Sequence, residues 1–130
     1  MSITNEELIK KALAAAKRHK ISKSVSSGDV GCALVTDKNH IYIGSNIAAD
    51  CGIGFCAEHG AIAAMVTNRE FKIKKIVAIN YKNHILPPCG RCRELLFQIN
   101  KQNLNTEIIL GTKKTTKLKK LLPEIWQKKF

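Results

Sequence analysis

The chain has 130 residues, 45% of them hydrophobic and 25% charged, a mix and length that suit one soluble domain over residues 1–130 with no second core. No apolar run approaches the ~20 residues of a membrane-spanning helix. The formal charge of +12 suits an anionic partner and keeps a basic nucleic-acid-binding or RNA-editing protein as the rival class. The lysines, however, are spread along the chain and thicken only at Lys113, Lys114, Lys117, Lys119, Lys120, Lys128 and Lys129, with aromatic company only at Trp126 and Phe130, so a stacking platform for single strands is disfavoured.

Thr4 and Glu7 form a capping box, and Leu8, Ile9, Ala12, Leu13 and Ala16 recur at helical spacing, which predicts a helix to about His19. Its acidic start is unlike an export signal, so a cytoplasmic location is expected, where five cysteines serve metal binding or catalysis better than disulfides. Serine-rich Ile21 to Asp29 reads as a loop. Val30 to Val35 and Ile41 to Ile47 are apolar runs around Asp37, Lys38 and Asn39, the pattern of a hairpin. Asn46 to Phe55 is a loop that ends at Cys56, and alanine-rich Cys56 to Thr67 is a helix. Ile73 to Asn80 reads as a buried strand. Pro87 and Pro88 enforce an extended approach to a helix from about Cys89 to Asn100. Thr106 to Leu110 is a further strand, and Thr115 to Leu122 a short helix ended by Pro123. The order α-β-β-α-β-α-β-α fits one mixed sheet covered by helices.

Cys56 opens one predicted helix; Cys89 and Cys92 open the next, three residues apart. In a first helical turn, unpaired amides and the positive dipole end favour thiolate over thiol. Three thiolates with no evident fourth protein ligand describe a catalytic zinc site with one position open for water. Glu58, two residues from Cys56, is placed to shuttle protons there. A redox pair is the alternative for the C-x-x-C spacing, but it has no need of Glu58 beside Cys56. Cys32 reads as a small buried strand residue and Cys51 as a loop residue able to line a pocket. His19, His40 and His84 carry no assigned role.

Cys56-Ala57-Glu58 with Ala61 and Ile62, followed by Pro88-Cys89-x-x-Cys92 and Leu96, resembles the cytidine deaminase superfamily in its three-cysteine form. Val30 to Leu34, Gly44 to Asn46, and Leu121-Leu122-Pro123 with Trp126 extend the resemblance over most of the chain. It implies a three-layer α/β/α fold with a five-stranded mixed sheet, one Zn2+ per chain and a homotetramer. The implied activity is hydrolytic deamination of cytidine, deoxycytidine or a cytosine-containing analogue, as in pyrimidine salvage, with ammonia released. By the same resemblance Asn46 holds the sugar, the Ala57 carbonyl meets the base edge and Trp126 closes over the base. Three positions depart from the pattern: Ala48 replaces a glutamate that grips the sugar, Gly28 an aromatic residue and His59 an arginine. Cys89-Gly90-Arg91-Cys92-Arg93 resembles blasticidin-S deaminases. There Arg91, assisted by His59, offsets the negative charge of zinc with three thiolates; both arginines are otherwise solvated helix residues.

Overall fold

The computed structural model describes residues 2–127; Lys128, Lys129 and Phe130 of the C-terminal basic run lie outside them. Helix α1 (Asn5–Ala14) starts on the expected capping box: the Glu7 amide donates to Thr4 Oγ1 at 3.1 Å and the Glu7 carboxylate accepts from the Thr4 amide at 3.4 Å. It ends at Ala15, earlier than the expected His19, because the amides of Ala15 and Ala16 close the last turn onto the Ala12 and Leu13 carbonyls. His19–Lys20 is instead a two-residue strand, β1, paired antiparallel with Ser26 and Ser27.

Strand β2 (Ser26–Thr36) therefore begins inside the stretch read as a loop. Its register slips between Ser27 and Gly31 as Gly28 adopts φ +89°. A Cβ on Gly28 would come within 1.9 Å of the Lys17 carbonyl, so this backbone has no room for an aromatic residue at that position. Strand β3 (Ile41–Ala48) completes the hairpin. Helix α2 (Ala57–Thr67), strand β4 (Ile73–Asn80) and helix α3 (Gly90–Ile99) follow, each close to its expected place, with an unexpected two-residue strand β5 (Ile85–Leu86) between β4 and α3.

The expected helix over Thr115 to Leu122 is corrected. After β6 (Glu107–Gly111) the chain turns back as β7 (Lys114–Lys117), and only Leu118–Leu121 forms α4. Thr115 and Thr116 pair with Ile109 and Ile108, and β-branched side chains between lysines suit a solvent-facing edge strand.

The long strands lie in the order β3-β2-β4-β6-β7, with β4 and β6 parallel and the other neighbours antiparallel. Short strands β1 and β5 extend the β2 and β4 pairings and bring the sheet to seven strands, against the five expected. Alternation sets the layers. Cys32, Leu34, Ile76 and Ile108 pack with Ala57, Ala61, Met65, Leu96 and Phe97 of α2 and α3. Ala33, Val35, Val77, Ile79 and Ile109 pack on the other face with Leu8 and Ala12 of α1. The result is a three-layer α/β/α domain.

Two glycines set the helix-to-sheet distances. A Cβ on Gly44 would lie 2.4 Å from both the Ala57 carbonyl oxygen and the Ala61 amide nitrogen, and one on Gly31 would lie 2.0 Å from the Ala12 carbonyl oxygen. Backbone approach this close needs glycine. Among the described residues no helix is long and apolar enough to cross a membrane.

Candidate metal centre and active site

The two helix starts that carry the cysteines are fixed from the sheet upward. Phe55 and Ile47 exchange backbone hydrogen bonds of 2.9 and 3.0 Å, which ties the β3–α2 loop to the end of β3 and delivers Cys56 at the N-cap of α2. Cys89 is the N-cap of α3, and Cys92 lies in its first turn. Neither cysteine cap uses its side chain to close the helix end, so both sulfurs are left for other partners. Arg93, one residue past Cys92, donates from Nε to the Pro88 carbonyl at 2.7 Å and from Nη1 to the Leu121 carbonyl at 3.1 Å. It is a clamp between the approach to Cys89 and the C-terminal segment, where sequence offered only a solvated helix residue.

Cys56 and Cys89 hold their sulfurs 3.5 Å apart, Cys89 and Cys92 3.6 Å, and all three lie within 4.8 Å of one another. Sulfurs about 2.3 Å from one tetrahedral zinc stand about 3.8 Å apart, so the triangle fits one Zn2+ with little movement. The donor set fits as well. Burial opposes a thiolate at Cys89, but the nearby backbone amides of Cys92 and Arg91 and the neighbouring thiols favour it, and the balance holds its pKa below the ordinary thiol value. Burial, then contact with Cys89, pushes Cys56 up; burial and the Glu58 charge push Cys92 up. Without a cation to neutralise them these three groups share protons, and a divalent metal is what lets all three ionise together.

Glu58 is 4% exposed. Burial raises its pKa, opposed by its own backbone amide and by the Cys92 thiol, which is near enough to act as a donor. A carboxyl raised by desolvation beside a metal cluster has the character of a proton carrier. It lines a cavity of about 420 Å3 together with Asn46, Ala57, Cys56, Cys89 and Arg91, a size that suits a small organic ligand. Val30, Ile47, Phe55, Ala78, Leu86 and Pro87 are also in the wall. Sequence reading did not name these six; the signal present was adjacency, since Phe55 precedes Cys56 and Leu86-Pro87 precede Pro88-Cys89. Asn46 Oδ1 accepts from the Val30 amide at 2.9 Å, so Nδ2 is the atom its side chain can offer a ligand.

His59 stacks on Phe55 with ring centroids 6.1 Å apart, and its Nε2 is buried without a hydrogen-bond partner. Burial, then the nearby Arg91 charge, lowers its pKa and favours the neutral ring. Arg91 itself is exposed at the cavity edge. Trp126 is not brought to the cavity: it is 69% exposed and absent from the wall. Cys51 is likewise exposed, at φ +62° in the loop before Cys56, and does not line the cavity, which corrects the pocket role expected for it. Cys32 is buried in β2, as expected. Ala48 is exposed at the end of β3, paired with Ser26.

A family model for the cytidine and deoxycytidylate deaminase zinc-binding region matches residues 2–107. A curated cytidine deaminase of Mycoplasma genitalium is 37% identical over 79 residues, a stretch that covers 59% of this chain and 60% of that protein's length. Crystal structures of cytidine deaminases are similar throughout. The Mycobacterium leprae enzyme superposes with a TM-score of 0.77 at 25% identity, covering 95% of this chain and all (100%) of the other. The Mycobacterium tuberculosis enzyme superposes with a TM-score of 0.79 at 23% identity, covering 96% and 98%.

Proposed function

The chain belongs to the cytidine and deoxycytidylate deaminase zinc-binding family, and from that premise we propose that it is a zinc-dependent deaminase of cytosine nucleosides or of a cytosine-containing analogue. The reaction consumes one water, replaces the 4-amino group by a carbonyl and releases ammonia. The observation that carries this reading is a cavity whose wall brings together Cys56, Cys89, the buried carboxyl of Glu58 and the Asn46 amide, with the Cys92 sulfur within 4.8 Å of the other two sulfurs.

When bound by Cys56, Cys89 and Cys92, zinc would acidify a water for attack on the base. Glu58 would take one proton from the attacking water and give it to the ring nitrogen of the base, then take the proton of the hydroxyl newly added at C4, which becomes the carbonyl, and pass it to the departing amine. Its burial supports this, because desolvation raises its pKa and makes the carboxylate a better proton acceptor than an exposed one. The apolar wall of Val30, Phe55, Ala78 and Leu86 receives the base and limits bulk water. Asn46 Nδ2 donates to the sugar-like portion, held in place by the Val30 amide on its other end. The Ala57 carbonyl is assigned to the base edge. Arg91, with His59, moderates the negative charge of the thiolate cluster.

The same reading makes the chain a cytoplasmic pyrimidine-salvage enzyme that works as a homotetramer, with exposed Ile43, Ile53 and Trp126 as candidates for burial between copies. In that assembly Trp126 covers a base in a neighbouring copy, since it is not in the cavity wall of its own chain. Steady-state assays of zinc-loaded protein on cytidine, deoxycytidine and blasticidin S test the assignment. Turnover of at least one with stoichiometric ammonia is expected; no ammonia from any of the three would overturn it.

A further inference from the structure

The three cysteines of the metal centre differ in access. Cys89 is exposed, Cys56 is half-buried and Cys92 is fully buried. Spacing in the sequence marks Cys89 and Cys92 as the pair to consider for redox chemistry, but the fold sets a sulfur from another helix against the exposed member. Cys56 and Cys89 lie 3.5 Å apart, no farther than Cys89 and Cys92 at 3.6 Å, so access to solvent decides which pair reacts.

Both accessible cysteines are helix N-caps whose side chains make no cap hydrogen bond, so their sulfurs can turn without breaking a helix end. A disulfide holds its sulfurs about 2.05 Å apart, so the pair has to approach by about 1.5 Å. Side-chain rotation and a small shift of two helix starts supply that much. Cys32 is buried in β2, and exposed Cys51 stands outside the sulfur cluster, so neither competes for Cys89.

We propose that Cys56 and Cys89 form a reversible disulfide under oxidation by a hydroperoxide, and that this bond switches the metal centre off. The proposal rests on the zinc-deaminase reading. With hydrogen peroxide, the Cys89 thiolate attacks one oxygen, the O–O bond breaks, and the hydroxide that leaves takes a proton to become water. Cys89 is then a sulfenic acid. The Cys56 sulfur attacks it, the S–O bond breaks, and the hydroxyl leaves as a second water. Two thiols have lost two electrons and one peroxide has gained them. Two of the three metal ligands are then uncharged disulfide sulfurs, so the site no longer holds zinc; thiol–disulfide exchange with a reductant restores it.

The test treats the zinc-loaded natural chain with about two equivalents of hydrogen peroxide, few enough to stop short of sulfinic acid. Released zinc is read with a chromophoric chelator, free thiols by titration, and cross-linked peptides by mass spectrometry without reduction. Free thiols should fall from the five of the sequence to three. Zinc should leave in step, about one per chain, and the peptides of Cys56 and Cys89 should be found joined. Reductant with added zinc should return thiols, metal and turnover together. Cys51→Ser should behave as the natural chain does. A disulfide mapped to Cys89 and Cys92 or to Cys51, oxidation that no reductant reverses, or full zinc retention by the disulfide form would overturn the proposal.

Because disulfide and zinc content are read apart from activity, this failure is distinguishable from failure of the deaminase reading. A reversible Cys56–Cys89 disulfide that expels zinc from a chain inactive on every cytosine compound sinks the deaminase reading and keeps the redox pair. An active zinc protein in which Cys56 and Cys89 never join sinks the switch alone.

Discussion

Gly44→Ala should damage the active site from outside it. The new Cβ would lie 2.4 Å from backbone atoms of Ala57 and Ala61, whereas ordinary contact begins at 3.4 Å, so α2 must retreat from β3 by about 1 Å. Overpacking of this kind costs about 1–3 kcal/mol, and at roughly 4 °C per kcal/mol for a domain of this size Tm should fall by about 4–12 °C. Helix α2 starts immediately after Cys56 and carries Ala57 and Glu58 in its first turn, so the displacement also opens the sulfur triangle and moves the proton carrier. A misplacement near 1 Å can lower turnover by about 100-fold. Gly31→Ala is the matched control. Its Cβ would lie 2.0 Å from the Ala12 carbonyl of α1, on the opposite face of the sheet, where no metal ligand sits. Thermal melts, zinc content and deaminase assays of both variants read the difference. Both should lose stability, while only Gly44→Ala loses most of its turnover per zinc-loaded chain. A Gly44→Ala protein with Tm within 1 °C and activity within twofold of the natural chain would refute the reasoning (tolerances of about the size of assay error), as would equal activity losses in the two variants.

Arg93→Met should lower zinc affinity, measured by competition with a chromophoric chelator, because the Pro88 and Leu121 carbonyls lose a charged donor worth about 1.5–3 kcal/mol each. Arg93→Lys, which can reach one carbonyl and not both, should fall between; equal affinity in all three proteins would remove Arg93 from the site's support. Glu70 is buried, which by itself raises its pKa, but contacts from Thr36, Tyr42 and His40 outweigh that and bring it down to about 2. Tyr42 Oη donates at 2.6 Å and His40 Nδ1 lies at 2.7 Å. A depressed carboxyl stabilises the fold above its unfolded pKa and loses that contribution as pH falls toward the folded value. Glu70→Gln should therefore melt at lower temperature at pH 7 and show a shallower fall in Tm between about pH 4.5 and 2. Parallel Tm profiles for the two proteins would contradict this.

The metal site was legible because its chemistry is local in sequence. Cys56 and Glu58 are two residues apart, Cys89 and Cys92 three, and each group opens a helix that its neighbours announce: a glycine-containing loop before Cys56, two prolines before Cys89. What the spacing could not say is that the groups meet, which depends on strand order bringing both helix starts to one end of the sheet. The edges of the fold were hardest to read. His19–Lys20 and Lys114–Lys117 are polar strands held mainly by backbone pairing, so no apolar periodicity marks them. The end of α1 is not marked in the sequence, because Ala15 and Ala16 continue the helical apolar pattern while their amides already close the last turn onto the Ala12 and Leu13 carbonyls. Charge misled in a related way: the eye goes to the C-terminal lysines, while folding gathers Arg18, His19, Lys20 and Lys23 into a cleft. Ala48 has no counterpart interaction in the structure that explains its presence.

The central claim is that Cys56, Cys89 and Cys92 hold a zinc ion beside a Glu58 that moves protons. Zinc content and cytidine-type deamination measured together on the natural chain and on Glu58→Gln test it most directly. About one zinc per chain in both proteins is expected, with turnover lowered by at least about 100-fold in the variant, the scale on which a positioned acid–base group acts. Glu58→Gln with turnover near that of the natural chain, or natural chain that turns over substrate without zinc, would contradict it.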